Sequence, residues 1–352
     1  MTFNVRGVSL SNYVEVAARL GLDPNAMLRR AGIDRRALTD RDVRLPGAVV
    51  SALLETTAAE GDCETVGLQM AESRRLADFG PLSLLITHQP TMGDALKTIV
   101  DYQLLLNESL VVRVEEHGEV VVVREELVVG AEMSLRQAYE LAVGVMYRVF
   151  RTMLGSRWRA QTVNFTHVAP ASLVAHNRLF GPIVEFNSDF NGLTCRREDL
   201  AAPNPAADPA LAEFAERYVR SLPQSERRAV AHDVQKAIYL LLPSGGASIS
   251  RVSESLGVNE RTLQRRLMRE GADFSRLLND VRRELTLRYV ANPDLPLGRV
   301  AAMVGFSRQS SFSRWFAEEF GCSATRRRAE AEPRPAGSDI LKFQSDRSGG
   351  RK

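Results

Sequence analysis

Cysteine is scarce in this chain: three among 352 residues, at positions 63, 195 and 322. So few thiols, odd in number and far apart, exclude a disulfide framework, and no Cys/His spacing offers a zinc site. The expectation is three reduced, packed thiols. Long apolar runs are also lacking. No stretch approaches the roughly 20 residues that a membrane helix needs. The opening MTFNVRGVSLSNYVEVAARL has charged and polar residues where a signal peptide needs a continuous apolar segment. These absences predict a cytoplasmic protein without a membrane partner. Gly-rich phosphate loops and Ser/His/Asp signatures are missing as well, so neither a metal nor a cofactor is expected. A large net charge is absent overall, at +3, but not locally. Residues 225–328 hold 18 Lys and Arg against 11 Asp and Glu, a local +7 that leaves −4 for the rest. A basic third on a mildly acidic body predicts a polyanion-binding module attached to something else.

What is present, 44% apolar and 25% charged residues, is ordinary for a globular protein, and the length favours two or three domains. SNYVEVAARLG, DPNAMLRRAG and PGAVVSALLETTAAEG read as helices that open on Ser, Asp-Pro or Pro and close at Gly. LLITHQPTMGDALKTIVDYQLLLNE reads as a turn and then a helix. In LVVRVEEHGEVVVVREE two β-branched runs flank Glu116, His117 and Gly118, which predicts a hairpin with His117 exposed in its turn. EMSLRQAYELAVGVMYRVFRTMLG reads as a long amphipathic helix. TVNFTH, IVEFN and GLTC follow as short strands, with SLVAHNRLFG a helix between the first two. Residues 1–200 are therefore expected to be an α+β domain. AAPNPAADPA, with three prolines, marks a boundary, and 201–224 are expected to be a linker and a helix. Residues 225–328 read as all-α, and the polar 329–352 as a disordered tail.

Within the basic region one pattern occurs twice. LGVNERTLQRRL (256–267) and VGFSRQSSFSRWF (304–316) each place a glycine, Gly257 or Gly305, in a turn. A capping residue follows two positions later, Asn259 or Ser307. A buried pair then sits four residues apart, Leu263/Leu267 or Phe312/Phe316. The glycines are 48 apart and the buried pairs 49, so the second copy carries one extra residue, placed inside its helix. A short helix precedes each copy, and FSRLLNDVRRELTLRYVAN supplies a long helix between them. This predicts two helix-turn-helix units joined by a long helix, with the polar face of each second helix lying in a DNA major groove. Arg261, Gln264 and Arg265 do the reading in the first unit. Arg308, Gln309, Ser310, Ser313 and Arg314 do so in the second. Arginine offers two donors to guanine O6 and N7, glutamine pairs with adenine N6 and N7, and short serines let the backbone reach phosphates. Helices about 34 Å apart would meet successive grooves. Arg269, Arg282 and Arg299 are candidates for phosphate contacts or for structural ion pairs.

Those residues closely resemble the DNA-binding domain of AraC/XylS-type transcription regulators. The most specific segments are RTLQRRL followed by a glycine, and VGFS…SSFSRWF…FG. The resemblance implies a seven-helix domain that binds asymmetric promoter sites of roughly 20 base pairs. Four positions depart from the usual pattern: Arg308 for an acidic residue, Thr286 for Ala, Ala324 for Pro and Arg327 for an aromatic, the last two bearing on the final helix. GLDPNAMLRRAGID, FGPLSLLITHQPTMGDALKTIVDYQLLLNES and RLFGPIVEFNSDFNGLTCRREDL resemble, more loosely, the arabinose-binding-type effector domain of one branch of the family. The label does not specify arabinose as the ligand. The resemblance thus implies a transcription regulator whose partners are double-stranded promoter DNA, RNA polymerase, a small-molecule effector and a second copy of the chain.

An effector pocket is expected between the hairpin and the long helix. Tyr102, Tyr139, Tyr147, His167 and His176 are candidates to line it, although packing is the better expectation for each. Two alternatives stand beside the sensor reading. In one, the N-terminal domain only oligomerises or binds a protein. In the other, the chain is a methyl-accepting DNA-repair enzyme, which needs an activated cysteine; neither EGDCETVG nor GLTCRRED offers the setting.

Overall fold

The structure, a computed structural model, describes residues 3–40, 42–129, 133–221, 229–242 and 245–331. Its first part begins with strand β1 (Asn4–Arg6) and helices α1 (Tyr13–Arg19) and α2 (Pro24–Arg30). Strand β2 (Arg44–Pro46) pairs antiparallel with β1 and leads into α3 (Gly47–Glu60). Asp23 caps α2, its carboxylate accepting from the Asn25 amide with Pro24 at the first helical position. Helices α4 (Val66–Glu72), α5 (Leu82–Thr87) and α6 (Met92–Leu106) follow. Of these only α6 was legible in the sequence.

The hairpin forms as expected from β3 (Leu110–His117) and β4 (Val120–Leu127). His117 pairs with Val120, so the turn is Gly118–Glu119, with Gly118 at φ +63°. His117 is exposed at the end of its strand. The long helix α7 (Arg136–Leu154) starts four residues later than the apolar pattern suggested. Glu55 of α3 holds its first turn, accepting from the Gln137 amide at 2.8 Å and the Ser134 hydroxyl at 3.0 Å. Strands β5 (Thr162–Asn164), β6 (Val184–Glu185) and β7 (Asn191–Arg196), with α8 (Val174–Leu179) between β5 and β6, complete a five-stranded sheet ordered β3-β4-β7-β5-β6.

Helix α9 (Arg197–Ala201) leads into the proline-rich stretch, which is tied down. The Asn204 side-chain amide donates to the Thr87 and Gln89 carbonyls. The next helix, α10 (Pro209–Ser221), lies on α5 and puts Ala215 and Val219 into the same core as the sheet. The segment expected as linker and helix is thus part of the first body, because α10 has an apolar face to bury.

The remaining helices are α11 (Val230–Leu241), α12 (Ile249–Ser255), α13 (Glu260–Arg269), α14 (Phe274–Val290), α15 (Leu297–Met303), α16 (Gln309–Phe320) and α17 (Ala324–Ala331). That makes seven among the described residues. Helix α17 forms despite Ala324 and Arg327: Ala324 is buried, the Ser323 hydroxyl accepts from the Arg326 amide, and Arg328 donates to the Val290, Pro293 and Leu295 carbonyls. The disordered tail expected over 329–352 starts too early: residues 329–331 complete α17, and those from 332 onward lie outside the described residues. No helix among those described is long and apolar enough to cross a membrane.

The sheet separates the two halves of the molecule. Along β3 and β4 one set of alternating side chains (Val112, Val121, Val123) enters the core formed with α6 and α7. On the other face Val111, with Val128 just beyond β4, joins Phe3 and the core of α11 and α14.

Candidate nucleic-acid interface and ligand cavity

In the first unit α12 and α13 meet at Gly257, whose φ of +64° only glycine adopts without strain. The Asn259 side chain caps α13, accepting from the Thr262 amide at 2.8 Å. Leu263 and Leu267 are buried, and Arg261, Gln264 and Arg265 are exposed on the opposite side. The second unit repeats this with Gly305 at φ +78°, and with Phe312 and Phe316 fully buried. Arg308, Gln309, Ser310, Ser313 and Arg314 are all exposed. Among the described residues, Arg261, Arg265, Arg308 and Arg314 take no carboxylate partner. An exposed face with such uncommitted donors matches what phosphates and base edges require.

Two details of the second unit correct the sequence reading. Ser307 is not the cap: α16 begins one residue later, with Arg308 at the N-cap position and no side-chain cap bond. The extra residue also lies in the turn, not in the helix. Helix α13 starts three residues after Gly257 and α16 four after Gly305, while both buried pairs begin three residues into their helices. Phe306 occupies the longer turn, its ring 5.8 Å from Phe312 and 5.3 Å from Trp315. Trp315 in turn donates to Asn279 of α14 at 2.9 Å and so docks the helix.

The three outlying arginines separate. Arg269 is exposed. Arg282 is committed internally: it donates to the Val304 carbonyl and its guanidinium lies 4.9 Å from the Phe306 ring centre. Burial holds its pKa below the usual arginine range. Arg299 forms an ion pair with Asp189, in the loop before β7.

A buried polar junction connects the two halves. The Tyr139 hydroxyl of α7 donates to Glu126 of β4 at 2.8 Å and accepts from Arg288 of α14 at 2.6 Å. Arg288 also donates to Glu284 at 2.9 Å, and Tyr239 of α11 donates to that same carboxylate. Burial raises the pKa values of Glu126 and Glu284 against the opposing pull of Arg288. Arg288 is itself held above its usual range: burial pushes it down, but Tyr139, Glu284, Tyr239 and Glu126 outweigh that. Elsewhere across the boundary Arg113 donates to the Leu240 carbonyl at 2.8 Å, and Asn292 to the Thr166 carbonyl at 2.7 Å.

A cavity of about 160 Å³ lies where a pocket was expected, between the hairpin and α7, with α3 and α6 also lining it. None of the five candidate residues lines it. Tyr147 packs edge-on to Phe180, Tyr102 packs on the core beside Arg220, and Tyr139 belongs to the junction. His176 lies 3.1 Å from the buried Glu140, and burial lowers the pKa of His167 to about 4. The polar residue that sequence reasoning missed is Glu125. It lines the cavity, fully buried, with no hydrogen-bond partner for either carboxylate oxygen, and burial alone raises it to about 8. Its only signal was an acid at an inward position of a valine-rich strand. Burial also pushes the Cys195 thiol up to about 12, the opposite of an activated acceptor.

Residues 21–204 match the family described as the arabinose-binding domain of AraC transcription regulator, N-term, and residues 252–330 match a helix-turn-helix domain. The HTH-type transcriptional regulator VirS of Mycobacterium tuberculosis is 28% identical over 331 residues, covering 92% of this chain and 96% of its own. The ornithine utilization regulator of Pseudomonas aeruginosa is 24% identical over 313 residues, covering 86% and 90%. Among solved structures, the transcriptional regulator CdpR from Pseudomonas aeruginosa aligns over 87% of this chain and 96% of its own, at 23% identity and a TM-score of 0.42.

Proposed function

The chain belongs to the AraC family of transcription regulators, and from that premise we propose how its parts divide the work. It is a DNA-binding transcription regulator with an N-terminal effector-binding domain, and its family and relatives are regulators rather than enzymes. In our reading residues 1–221 form the sensor and α11–α17 the DNA reader. Arg261, Gln264 and Arg265 read one major groove; Arg308, Gln309, Ser310, Ser313 and Arg314 read the next; and Arg269 holds a phosphate. The observation that carries this is the repeated unit, in which a buried pair fixes each helix while uncommitted arginines and glutamines cover its outer face.

The effector acts by linkage: a ligand that binds one arrangement of the two halves better shifts the population towards it. Glu125 faces the cavity and its neighbour Glu126 faces the junction, so one strand touches both sites. A cavity walled mainly by apolar side chains, with the buried Glu125 facing it, favours a sensor over a domain that only oligomerises. The protein works in the cytoplasm, with RNA polymerase as a partner. It also works as a homodimer: Leu211, Phe214 and Tyr218 form an exposed apolar stripe on α10, suited to a second copy. Sedimentation of the wild type and Phe214→Asp checks the dimer, which the substitution should dissociate.

The DNA reading is tested by titrating the full-length protein onto a selected site between 50 and 200 mM salt. Affinity should fall by on the order of a thousandfold if six or more phosphates are neutralised. A flat response would contradict it.

A further inference from the structure

The inward face of β4 presents Val121, Val123, Glu125 and Leu127, three apolar side chains and one acid. Glu125 stands at the wall of the cavity, opposite Val112 of β3, with both carboxylate oxygens unpartnered. Packing alone would be served by another valine. The other polar groups of the wall are largely spoken for. Arg6 donates to Asp42 and to the Phe79 carbonyl. Arg74 donates to the Val8 and Ser9 carbonyls, and Gln103 accepts from the Val112 amide. What the buried wall leaves unmet is therefore the Glu125 carboxyl, which can accept, and the Ser109 hydroxyl, also buried without a partner.

We propose that the effector is a small apolar amine, whose hydrocarbon or single-ring body fills the cavity and whose ammonium group donates to Glu125. This deepens the sensor reading above and rests on it. The volume sets the size, since dry cavities of about 150 Å³ accept a benzene ring. The acid sets the head group: an ammonium brings both the donors and the countercharge that the site lacks. An anionic ligand would meet Glu125 while the guanidinium groups of Arg6 and Arg74 are engaged elsewhere. A neutral alcohol would supply a donor without charge.

The proton balance follows. The empty site holds Glu125 largely as the neutral acid at pH 7, with burial the cause. Binding of the ammonium form leaves a carboxylate–ammonium pair and releases one proton to solvent. The charged groups along the same wall are Arg6 of β1 and Arg74, Arg75 and Asp78 after α4; α3, α6 and α7 contribute none.

Calorimetric titration of the full-length protein at pH 7 with benzylamine, benzyl alcohol, toluene and benzoate tests the assignment. Benzylamine should bind at least tenfold more tightly than toluene or benzyl alcohol and release close to one proton, and benzoate should not bind. Glu125→Gln should remove the advantage of benzylamine while toluene still binds. Glu125→Leu, which restores the apolar alternation, carries the same expectation if the glutamine variant does not fold. Equal binding of toluene and benzylamine, or tightest binding of benzoate, would overturn the amine and leave the cavity as a ligand site. Binding of none of the four would overturn the cavity itself, whatever the salt titration shows for DNA.

Discussion

The two helix-turn-helix units share a plan but differ in what holds them. The first is a light unit: its second helix, α13, rests on two leucines and starts at a side-chain cap, Asn259. Among the described residues α12 and α13 make no hydrogen bond or ion pair with the first half of the molecule. The second is built on aromatics, with Phe306, Phe312, Trp315, Phe316 and Phe320 in mutual contact and no side-chain cap. It is also tethered. Arg299 pairs with Asp189, while Asn292, in the loop leading to α15, holds the Thr166 carbonyl and the Asn187 side chain. The difference teaches where a signal from the sensor would arrive. In the proposed linkage a shift of the first half would pull directly on the second unit and on α14 through Arg288, and would reach the first unit through the packing of α11 and α14.

The comparison is broken most severely at the junction. Arg288→Ala leaves Glu126 and Glu284 buried without their cation, and should cost about 3–5 kcal/mol in denaturant unfolding. A loss under about 1 kcal/mol would mean that the halves are not joined there. The cavity acid is next. Its folded pKa of about 8 lies above the unfolded value of 4.5, so the neutral form is favoured in the folded state. Its stabilisation is complete below about pH 4.5 and is lost as pH rises to about 8, at up to roughly 1.4 kcal/mol per unit. Thermal melts of the wild type and Glu125→Gln across that window should differ by this slope, and parallel curves would place the carboxyl in water.

Base reading sharpens the contrast between the units at a smaller scale. Gln264→Ala and Arg314→Ala should each cost about 1–3 kcal/mol on a selected site, in anisotropy titrations, and each should relax one position. The caps give the smallest effect and the cleanest asymmetry. Asn259→Ala should destabilise by about 1 kcal/mol, whereas Ser307→Ala, which removes no cap bond, should stay within about 0.5 kcal/mol.

Much of this was legible because it is local. Within each unit the glycine and the buried pair, and in the first unit the Asn259 cap, lie within a dozen residues, and the hairpin announces itself by alternation around a glycine. What was not legible depends on partners distant in sequence. The start of α7 is set by Glu55, about 80 residues upstream, and Arg299 is held by Asp189, about 110 residues away. Helix α10 was expected as a helix, but not as part of the first body, because its apolar face makes sense only once α5 lies against it. The cap in the second unit was misplaced because Ser307 is the better capping residue by type, while the longer turn around Phe306 starts the helix after Arg308. Tyr139 and the histidines attracted attention as polar aromatics, yet the side chain that faces the cavity is an acid hidden among valines.

The central claim is that two matched helices read two successive grooves and that the tethered one answers to the sensor. Sites selected from a random library by the wild type, Gln264→Ala and Arg314→Ala, and then sequenced, test it most directly. The account predicts that each variant loses preference at its own position, the two lying about one helical turn, or roughly 10 base pairs, apart. Loss at the same position, or no change in either variant, would contradict it.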